Sequence, residues 1–174
     1  MKFVKMQGTG NDFVVIESDD LQHDWSRLAM AICDRHYGIG ADGLLVMLPS
    51  SIADFRMRIF NPDGSEAESC GNGTRCIVKY FVDRKLKTSR EREISVETMC
   101  GVRKARVYRA AGETARVKVG MGEPKFRAED IPVLPGRNQG KVKSMITCPV
   151  TIDGKELKLN LVSMGNPHAV FFYR

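Results

Sequence analysis

Residues 61–76, NPDGSEAESCGNGTRC, mark the point at which a polar loop gives way to a helix. Apolar residues at helical spacing follow in residues 77–86, which predicts a helix that begins near Gly71. If Cys70 caps this helix, its sulfur lies beside free backbone N–H groups and the positive end of the helix dipole, and both favour a thiolate. Because the same N–H groups can hold a carboxylate or a developing enolate, the stretch predicts a base and an anion site together.

The composition is that of an ordinary globular protein. The 174 residues are 43% hydrophobic and 28% charged, enough for one domain, or one domain and part of another, with a sizeable core. No apolar run approaches the roughly 20 residues that a membrane-spanning helix needs, so no membrane association is expected. The first residues lack the apolar core of a signal peptide, and the expected location is the cytoplasm.

The net charge of +6 raises the question of a nucleic-acid partner. The densest basic cluster comprises Arg84, Lys85, Lys87, Arg90 and Arg92, with Glu91 and Glu93 among them. A nucleic-acid site gathers its charge into a stripe with interleaved aromatic residues, whereas cations at the end of a helix are favourable without any ligand. A solvated surface is therefore predicted, with no nucleic-acid partner.

The five cysteines are Cys33, Cys70, Cys76, Cys100 and Cys148. An odd number in a chain without an export signal predicts free thiols and not a disulfide framework. The spacing between Cys70 and Cys76 fits neither a zinc site nor a redox pair, so no metal is expected. Cys70 stands among polar residues and glycines, whereas the other four stand among apolar residues and are interpreted as structural.

Alternating and apolar runs predict a fold of mixed α and β structure. Strands are predicted at residues 2–6, 13–16, 44–48, 55–60, 93–100, 102–109, 114–121, 142–150 and 157–162, and helices at residues 24–36, capped by Asp24, and from Gly71 onward. The alternation after the second helix suits an antiparallel sheet with one wet face. Residues 122–140, rich in proline and glycine, are interpreted as a linker.

Residues 38–43, GIGADG, have the spacing of a dinucleotide-binding loop. That site needs a strand before the loop and a helix after it, and here the predicted order is reversed. A turn is therefore predicted.

Three asparagines, Asn11, Asn61 and Asn166, lie in loops that contain glycine or proline. Each alone is typical of a turn. Because all three follow or precede predicted strands, where a sheet presents its loops to a ligand, together they predict a binding site. His168 is the only histidine in a candidate site, where it can tune the pKa of a thiol or orient a carboxylate.

Four motifs in order, residues 5–13 (KMQGTGNDF), 61–66 (NPDGSE), 70–76 (CGNGTRC) and 165–168 (GNPH), closely resemble those of the diaminopimelate epimerase family. The resemblance implies an α/β fold of the α+β type, with two similar halves that each curl a mainly antiparallel sheet around a central helix. It also implies inversion of LL-diaminopimelate to the meso form without pyridoxal phosphate, other cofactor or metal, on the way to lysine and peptidoglycan.

The resemblance also implies the roles of the site residues. Cys70 is one of two catalytic cysteines that act as acid and base on opposite faces of the α-carbon. His168 tunes the cysteines. The substrate-binding residues are Asn11, Asn61 and Asn166, which hold polar groups of the amino acid, and Gly71 and Asn72, which offer backbone N–H groups to its α-carboxylate.

The chain departs from the family pattern after Cys148, where the later Cys-Gly motif with the second cysteine is absent. Cys76 does not replace it, because six helical residues would place it ~9 Å along the axis and on another face. Residues 1–120 are expected to form the N-terminal domain and residues 121–174 the beginning of a truncated second domain, inactive alone. An unpaired sheet edge would favour self-association, for example as a homodimer.

Two other functions remain open. A related cofactor-independent amino-acid racemase or isomerase would act on another small molecule with the same residues. A truncated, non-catalytic binding module is the alternative from a different class of protein.

Overall fold

The computed structural model describes residues 1–85, 92–110, 113–131, 140–142 and 145–172. The chain divides into two compact units, Met1–Gly120 and Met121–Arg174. Parts of four predicted features lie outside the described residues: Leu86 of the helical run, Lys87 and Arg90 of the basic cluster, residues 132–139 of the linker, and residues 143–144 of the strand predicted at 142–150.

The described part of the first unit contains one sheet and two helices. The strands are β1 (Val4–Gly8), β2 (Asn11–Glu17), β3 (Gly43–Leu48), β4 (Phe55–Phe60), β5 (Arg92–Thr98), β6 (Gly101–Ala110) and β7 (Glu113–Val119), and they lie in the sheet in that order. The helices are α1 (Trp25–Cys33) and α2 (Gly71–Lys85). Neighbouring strands are antiparallel except β2–β3 and β4–β5, which are parallel. The predicted α+β fold with a mainly antiparallel sheet is confirmed.

Helix α2 lies in the curl of this sheet. It contacts both edge strands, β1 and β7, as well as β2, β3, β4 and β6 between them. Its buried residues Ile77, Val78 and Val82 pack against apolar side chains from the inner face of the sheet. Because burial of apolar surface is the main favourable term in folding, the apolar face of α2 determines how the sheet curls around the helix.

The outer face of the sheet is covered by α1. Trp25, Ala29 and Cys33 pack there against apolar residues of β2 and β3. With a helix on each side, β3 is buried along its whole length, which explains why its sequence is an unbroken apolar run and not an alternating one. The predicted cap of α1 is confirmed, since the Oδ1 of Asp24 accepts a hydrogen bond from the backbone N–H of Arg27 at 3.0 Å.

The loop that resembles a dinucleotide-binding motif lies between the end of α1 and the start of β3. A helix therefore precedes it and a strand follows it, and the predicted turn is confirmed. Gly40 has a φ of 75°, in the left-handed region that favours glycine.

The second unit contains a separate antiparallel sheet among its described residues. Its strands are β8 (Gly140–Val142), β9 (Met145–Ile152), β10 (Lys155–Ser163) and β11 (Pro167–Val170), with the order β11-β10-β9-β8. A 3-10 turn, Ala128–Asp130, precedes them. Ile131 and Leu161 are buried, with Cys148 and Leu159 packed beside them.

None of the helices in the described ranges is both long and apolar enough to cross a membrane.

Gly73→Ala is expected to destabilise the first unit. A Cβ at position 73 would lie 2.9 Å from Cδ2 of Leu45 and 3.4 Å from Cδ1 of Ile59. Leu45 is fully buried, so its side chain has no free space to move into. Overpacking of this kind costs about 1–3 kcal/mol, which urea unfolding of the variant should show as a lower free energy of unfolding.

Gly120→Ala is the matched control, because among the described residues a Cβ there would meet only the carbonyl oxygen of Lys104 at 3.5 Å, an ordinary contact. Its free energy of unfolding should stay within about 0.5 kcal/mol of the original chain. Equal stabilities for the two variants would show that α2 does not require the close approach at Gly73.

Candidate functional site

Five of the predicted site residues lie at one end of the seven-stranded sheet. Asn11 begins β2, Asn61 directly follows β4, and Cys70, Gly71 and Asn72 form the start of α2. The register pairs the start of β2 with the start of β3, and the start of β3 with the end of β4, so these strand ends share one edge. Topology therefore gathers residues that are up to 61 positions apart in the sequence.

Cys70 caps helix α2. Its Sγ accepts a hydrogen bond from the backbone N–H of Gly73 at 3.3 Å, and its carbonyl oxygen accepts from the backbone N–H of Thr74 at 2.9 Å. The hydroxyl of Thr74 donates to the same carbonyl oxygen at 2.8 Å. The condition that Cys70 caps the helix is thus met, and its half-buried sulfur lies at the positive end of the helix dipole.

The first turn of α2 supplies backbone donors beside this sulfur. The N–H groups of Gly71 and Asn72 belong to the first turn, so they have no acceptor within the helix. Gly8 lets β1 approach this turn closely, since a Cβ there would lie 3.1 Å from the carbonyl oxygen of Asn72 and 3.0 Å from Sγ of Cys76. The site thus combines a thiol, donors for an anion and a closely packed strand.

A chain of side-chain hydrogen bonds crosses the site. Asn72 Nδ2 donates to Asn11 Oδ1 at 2.7 Å, and Asn11 Nδ2 donates to Asp42 Oδ2 at 3.1 Å. At the other end, the guanidinium of Arg75 donates to Asn72 Oδ1 and to the hydroxyl of Thr9, the latter at 3.0 Å. Asp42 and Arg75 were not predicted, although both lie in motifs that the sequence marks out.

Asn11 lies in a strand and not in the predicted loop. Strands β1 and β2 extend further than their apolar runs, and only Thr9 and Gly10 remain between them, with φ values of 56° and 93°. Two successive positive φ values are characteristic of the tight turn that suits a twisted hairpin. The hairpin therefore holds Asn11 in a fixed register opposite Gly8.

An ion-pair cluster adjoins this series of hydrogen bonds at Asp42. Arg35 binds Asp12 at 2.7 Å and Asp42 at 2.8 Å, and Lys5 lies 3.1 Å from Asp12. The hydrogen bond from Arg35 holds the pKa of Asp12 well below its usual range, and Lys5 adds to this effect, while desolvation opposes it. The Nζ of Lys5 also donates to the carbonyl oxygen of Gly40 at 2.6 Å, which ties β1 to the turn before β3.

Asn61 has its hydrogen bonds within its own loop. Its Nδ2 donates to the hydroxyl of Ser65 at 2.9 Å, and its carbonyl oxygen accepts from the N–H of Gly64 at 2.9 Å. A bidentate ion pair between Arg58 and Glu66, with distances of 2.8 and 2.7 Å, closes the base of the loop. These contacts are those of an asparagine that shapes a turn next to the site.

The other cysteines have different surroundings. Cys33 and Cys76 are buried, and burial raises the pKa of both thiols, that of Cys33 to about 11. Cys100 lies half-buried in the turn between β5 and β6 and donates to the carbonyl oxygen of Glu68 at 3.5 Å, and its interpretation as a structural thiol stays a prediction. That turn packs on the loop before Cys70, a long-range contact that local sequence does not encode.

Asn166 and His168 belong to the second unit. Gly165, with a φ of 103°, makes the turn before β11, and the Oδ1 of Asn166 lies 3.1 Å from Nε2 of His168. The two predicted residues therefore contact each other, with His168 exposed on β11. Among the residues described in either unit, no group of three or more His, Cys, Asp and Glu side chains is placed to hold a metal ion.

Comparison with known proteins identifies related chains. A family model described as diaminopimelate epimerase matches residues 3–127. The diaminopimelate epimerase of Caldanaerobacter subterraneus subsp. tengcongensis is 48% identical over 99% of this chain and 60% of its own length. That of Acetivibrio thermocellus is 46% identical over 100% of this chain and 60% of its own. The chain thus spans about 60% of the length of these curated relatives.

Two solved structures are similar in fold. A hydroxyproline epimerase from Agrobacterium vitis has a TM-score of 0.71 at 16% identity, over 97% of this chain and 50% of that one. A probable proline racemase from Agrobacterium radiobacter has a TM-score of 0.72 at 16% identity, over 97% and 51%. At this identity the likeness concerns the fold alone.

Asp12→Asn is expected to reduce the dependence of stability on acid pH. Because the pKa of Asp12 is lower in the folded chain than its ordinary value of 3.8, the unfolded chain binds the proton more readily. The stabilisation is complete above about pH 5 and is lost as the pH falls through about 4 and below. Urea unfolding between about pH 6 and pH 3 should give a steeper loss for the original chain than for Asp12→Asn.

Asp19→Asn, at an exposed position outside the cluster, is the control and should keep the original slope. If all three chains lose stability in parallel, the cluster around Asp12 does not contribute to the acid dependence.

Proposed function

The chain belongs to the diaminopimelate epimerase family, and on that premise we propose that the protein epimerises LL-diaminopimelate to meso-diaminopimelate, a reaction of lysine and peptidoglycan precursor biosynthesis. The ligand is then a small amino acid with charged groups at both ends, and the reaction takes place in the cytoplasm. The observation that supports this best is the position of Cys70, whose sulfur caps α2 at 3.3 Å from the N–H of Gly73.

The position of Cys70 suits removal of a weakly acidic proton. The α-hydrogen of an amino acid is poorly acidic, so its removal needs a strong base and stabilisation of the charge that develops. A thiolate at a helix N-terminus is favoured by the dipole and by the N–H of Gly73. The N–H groups of Gly71 and Asn72 in the same turn are available to the α-carboxylate of the substrate.

The proposed reaction removes one proton from one face of the α-carbon and delivers another to the opposite face. The thiolate of Cys70 takes the α-proton, a C–H bond breaks and an S–H bond forms, and the electron pair of the C–H bond spreads into the carboxylate as an enediolate. An acid on the opposite face then donates a proton to the α-carbon, which inverts the centre. In the reverse direction Cys70 begins as the thiol and is the donor.

The acid on the opposite face is, by the family resemblance, a second cysteine in a later motif. Cys76 does not suit this role, because it is only 4% exposed and lies against Gly8, and burial raises the pKa of its thiol. In this proposal residues 1–120 supply the domain that carries Cys70. Residues 121–174 supply the start of a second domain.

The asparagines are proposed to hold the substrate, and the histidine has a separate proposed role. Asn11 and Asn72 contact each other at the start of α2, which places two amides beside the Cys70 cap. Asn61 lies at the same end of the sheet. In the second unit Asn166 contacts His168 at 3.1 Å, and the imidazole is proposed to tune the thiols.

The test is exchange of the α-hydrogen of diaminopimelate in heavy water. It is measured on Met1–Arg174 and on a polypeptide extended to the length of the relatives, each with and without Cys70→Ala. In the extended protein, Cys70→Ala is expected to reduce exchange and inversion by about 10²–10⁴-fold, the contribution of a positioned acid or base. Cys100→Ala, which removes a half-buried thiol from a nearby turn, is the matched control and should retain most of the activity.

Other results would favour the other functions. Inversion of proline or 4-hydroxyproline by the extended protein, with none of diaminopimelate, would overturn the proposed substrate and identify a related racemase. Salt-sensitive binding to nucleic acid without any racemisation would indicate a non-catalytic binding module. Full activity of Cys70→Ala would exclude Cys70 as an acid or base.

A further inference from the structure

We propose that Asp42 and Arg75 are positioning residues, which fix the orientation of the Asn11 and Asn72 side-chain amides. The inference rests on the proposed function, because it concerns the same site. It assigns a role to two charged residues that lie at opposite ends of one hydrogen-bonded chain.

The chain of contacts has a single direction. Arg75 donates to Oδ1 of Asn72, Asn72 Nδ2 donates to Oδ1 of Asn11 at 2.7 Å, and Asn11 Nδ2 donates to Oδ2 of Asp42 at 3.1 Å. Arg75 also donates to the hydroxyl of Thr9 at 3.0 Å. Because Arg75 lies on α2 and Asp42 lies directly before β3, the two ends of this series of hydrogen bonds belong to separate elements.

A side-chain amide alone does not determine this direction. Its oxygen and nitrogen have nearly the same shape, and a half-turn exchanges an acceptor for a donor. A carboxylate only accepts and a guanidinium only donates. Asp42 therefore requires the NH₂ group of Asn11, and Arg75 requires the oxygen of Asn72.

Asp42 and Arg75 favour mutually compatible orientations of the Asn11 and Asn72 amides. If Asn11 turned over, its oxygen would face the carboxylate oxygen of Asp42. If Asn72 turned over, its NH₂ group would face the guanidinium of Arg75. Either half-turn replaces a charge-assisted hydrogen bond with a repulsive contact. The loss is substantial because charge-assisted hydrogen bonds are among the stronger ones in proteins. Both amides consequently hold one orientation before any ligand arrives.

Asp42 is itself rigidly placed. Its Oδ2 also accepts from the backbone N–H of Asp12 at 3.1 Å, and its Oδ1 accepts from Arg35 at 2.8 Å. The backbone N–H of Asp42 donates to the carbonyl oxygen of Asp12 at 2.9 Å, next to the parallel pairing of β2 and β3. The carboxylate that orients Asn11 thus lies directly before β3 and is held by hydrogen bonds to Asp12 of β2 and to Arg35.

The orientation decides what the site offers to a ligand. A primary amide has two N–H donors. The hydrogen bonds from Asn72 to Asn11 and from Asn11 to Asp42 use one N–H of each asparagine. The second N–H of Asn11 and of Asn72 remains for an acceptor such as a carboxylate oxygen. Reversed amides would present oxygen atoms instead and would repel the same anionic group.

Nuclear magnetic resonance of the Met1–Arg174 chain tests this without any substrate. The readout is the side-chain amide resonances of Asn11 and Asn72, assigned from variants that lack each amide. Asp42→Asn keeps the shape but replaces the accept-only group with one that can also donate. Both amide resonances are expected to shift or to split into two sets. Asp54→Asn is the matched control, because Asp54 also accepts from a backbone N–H, that of Ser95 at 2.8 Å, at the opposite end of the sheet.

Arg75 provides a second, independent pair of variants. Arg75→Lys keeps a donor-only group, whereas Arg75→Gln introduces a group that can accept. The original amide resonances are expected to persist in Arg75→Lys and to change in Arg75→Gln. This pair decides the question if Asp42→Asn fails to fold, since Arg75 lies on the partly exposed surface of α2.

The kinetic readout uses the extended protein and diaminopimelate. Asp42→Asn and Arg75→Gln are expected to lower kcat/KM by about 10- to 100-fold, the usual effect of misplaced binding groups, with most of the change in KM. Arg75→Lys should recover most of that loss, because lysine, like arginine, only donates hydrogen bonds.

Three results would overturn the inference. The first is that the Asn11 and Asn72 amide resonances stay unchanged in both Asp42→Asn and Arg75→Gln. The second is that Asp54→Asn changes these resonances as much as Asp42→Asn does. The third is that Arg75→Lys and Arg75→Gln change them equally. If the original protein does not act on diaminopimelate, the proposed function fails, and the resonances still decide the role of Asp42 and Arg75.

Discussion

Helix α2 buries Ile77, Val78 and Val82 inside the curl of the sheet, and the position of the site depends on that packing. The contact is close because Gly73 has no side chain where Leu45 approaches. Apolar burial therefore sets the depth and direction of the helix, and its N-terminus lies at one end of the sheet. The Cys70 cap follows from this placement, since the cap is the residue at which the buried helix begins.

Charge has a second role at this end of the molecule. The positive end of the α2 dipole lies at Cys70. Asp12, Asp42, Arg35 and Lys5 form a partly exposed, paired cluster beside it. Because the carboxylates of this cluster are matched by cations, they can orient amides without repelling an anionic ligand. The site thus combines a half-buried thiol with neutral donors, and we propose that the charged residues in contact with these donors determine their direction.

The sequence predicted most of the fold because its signals are local. Helical spacing after Gly71, the Asp24 cap and the alternation of the later strands each arise within a few residues, and each is confirmed. A predicted helix before residues 38–43 and a predicted strand after them, the reverse of a dinucleotide-binding loop, were also sufficient to exclude that loop. Strand ends were less accurate: apolar runs mark the buried part of a strand, whereas the polar ends of β1 and β2 are held by hairpin pairing.

By itself, the sequence determined the elements, the candidate thiol at Cys70 and the family resemblance, since these depend on residue types in order along the chain. The tertiary structure alone decided which polar groups meet. Asn11 contacts Asn72 across 61 positions, and Cys100 reaches the loop before Cys70, because sheet pairing and burial of α2 bring distant segments together. The physical reason is that hydrogen-bond partners are selected by distance and direction in space, and local sequence encodes neither for residues far apart in the chain.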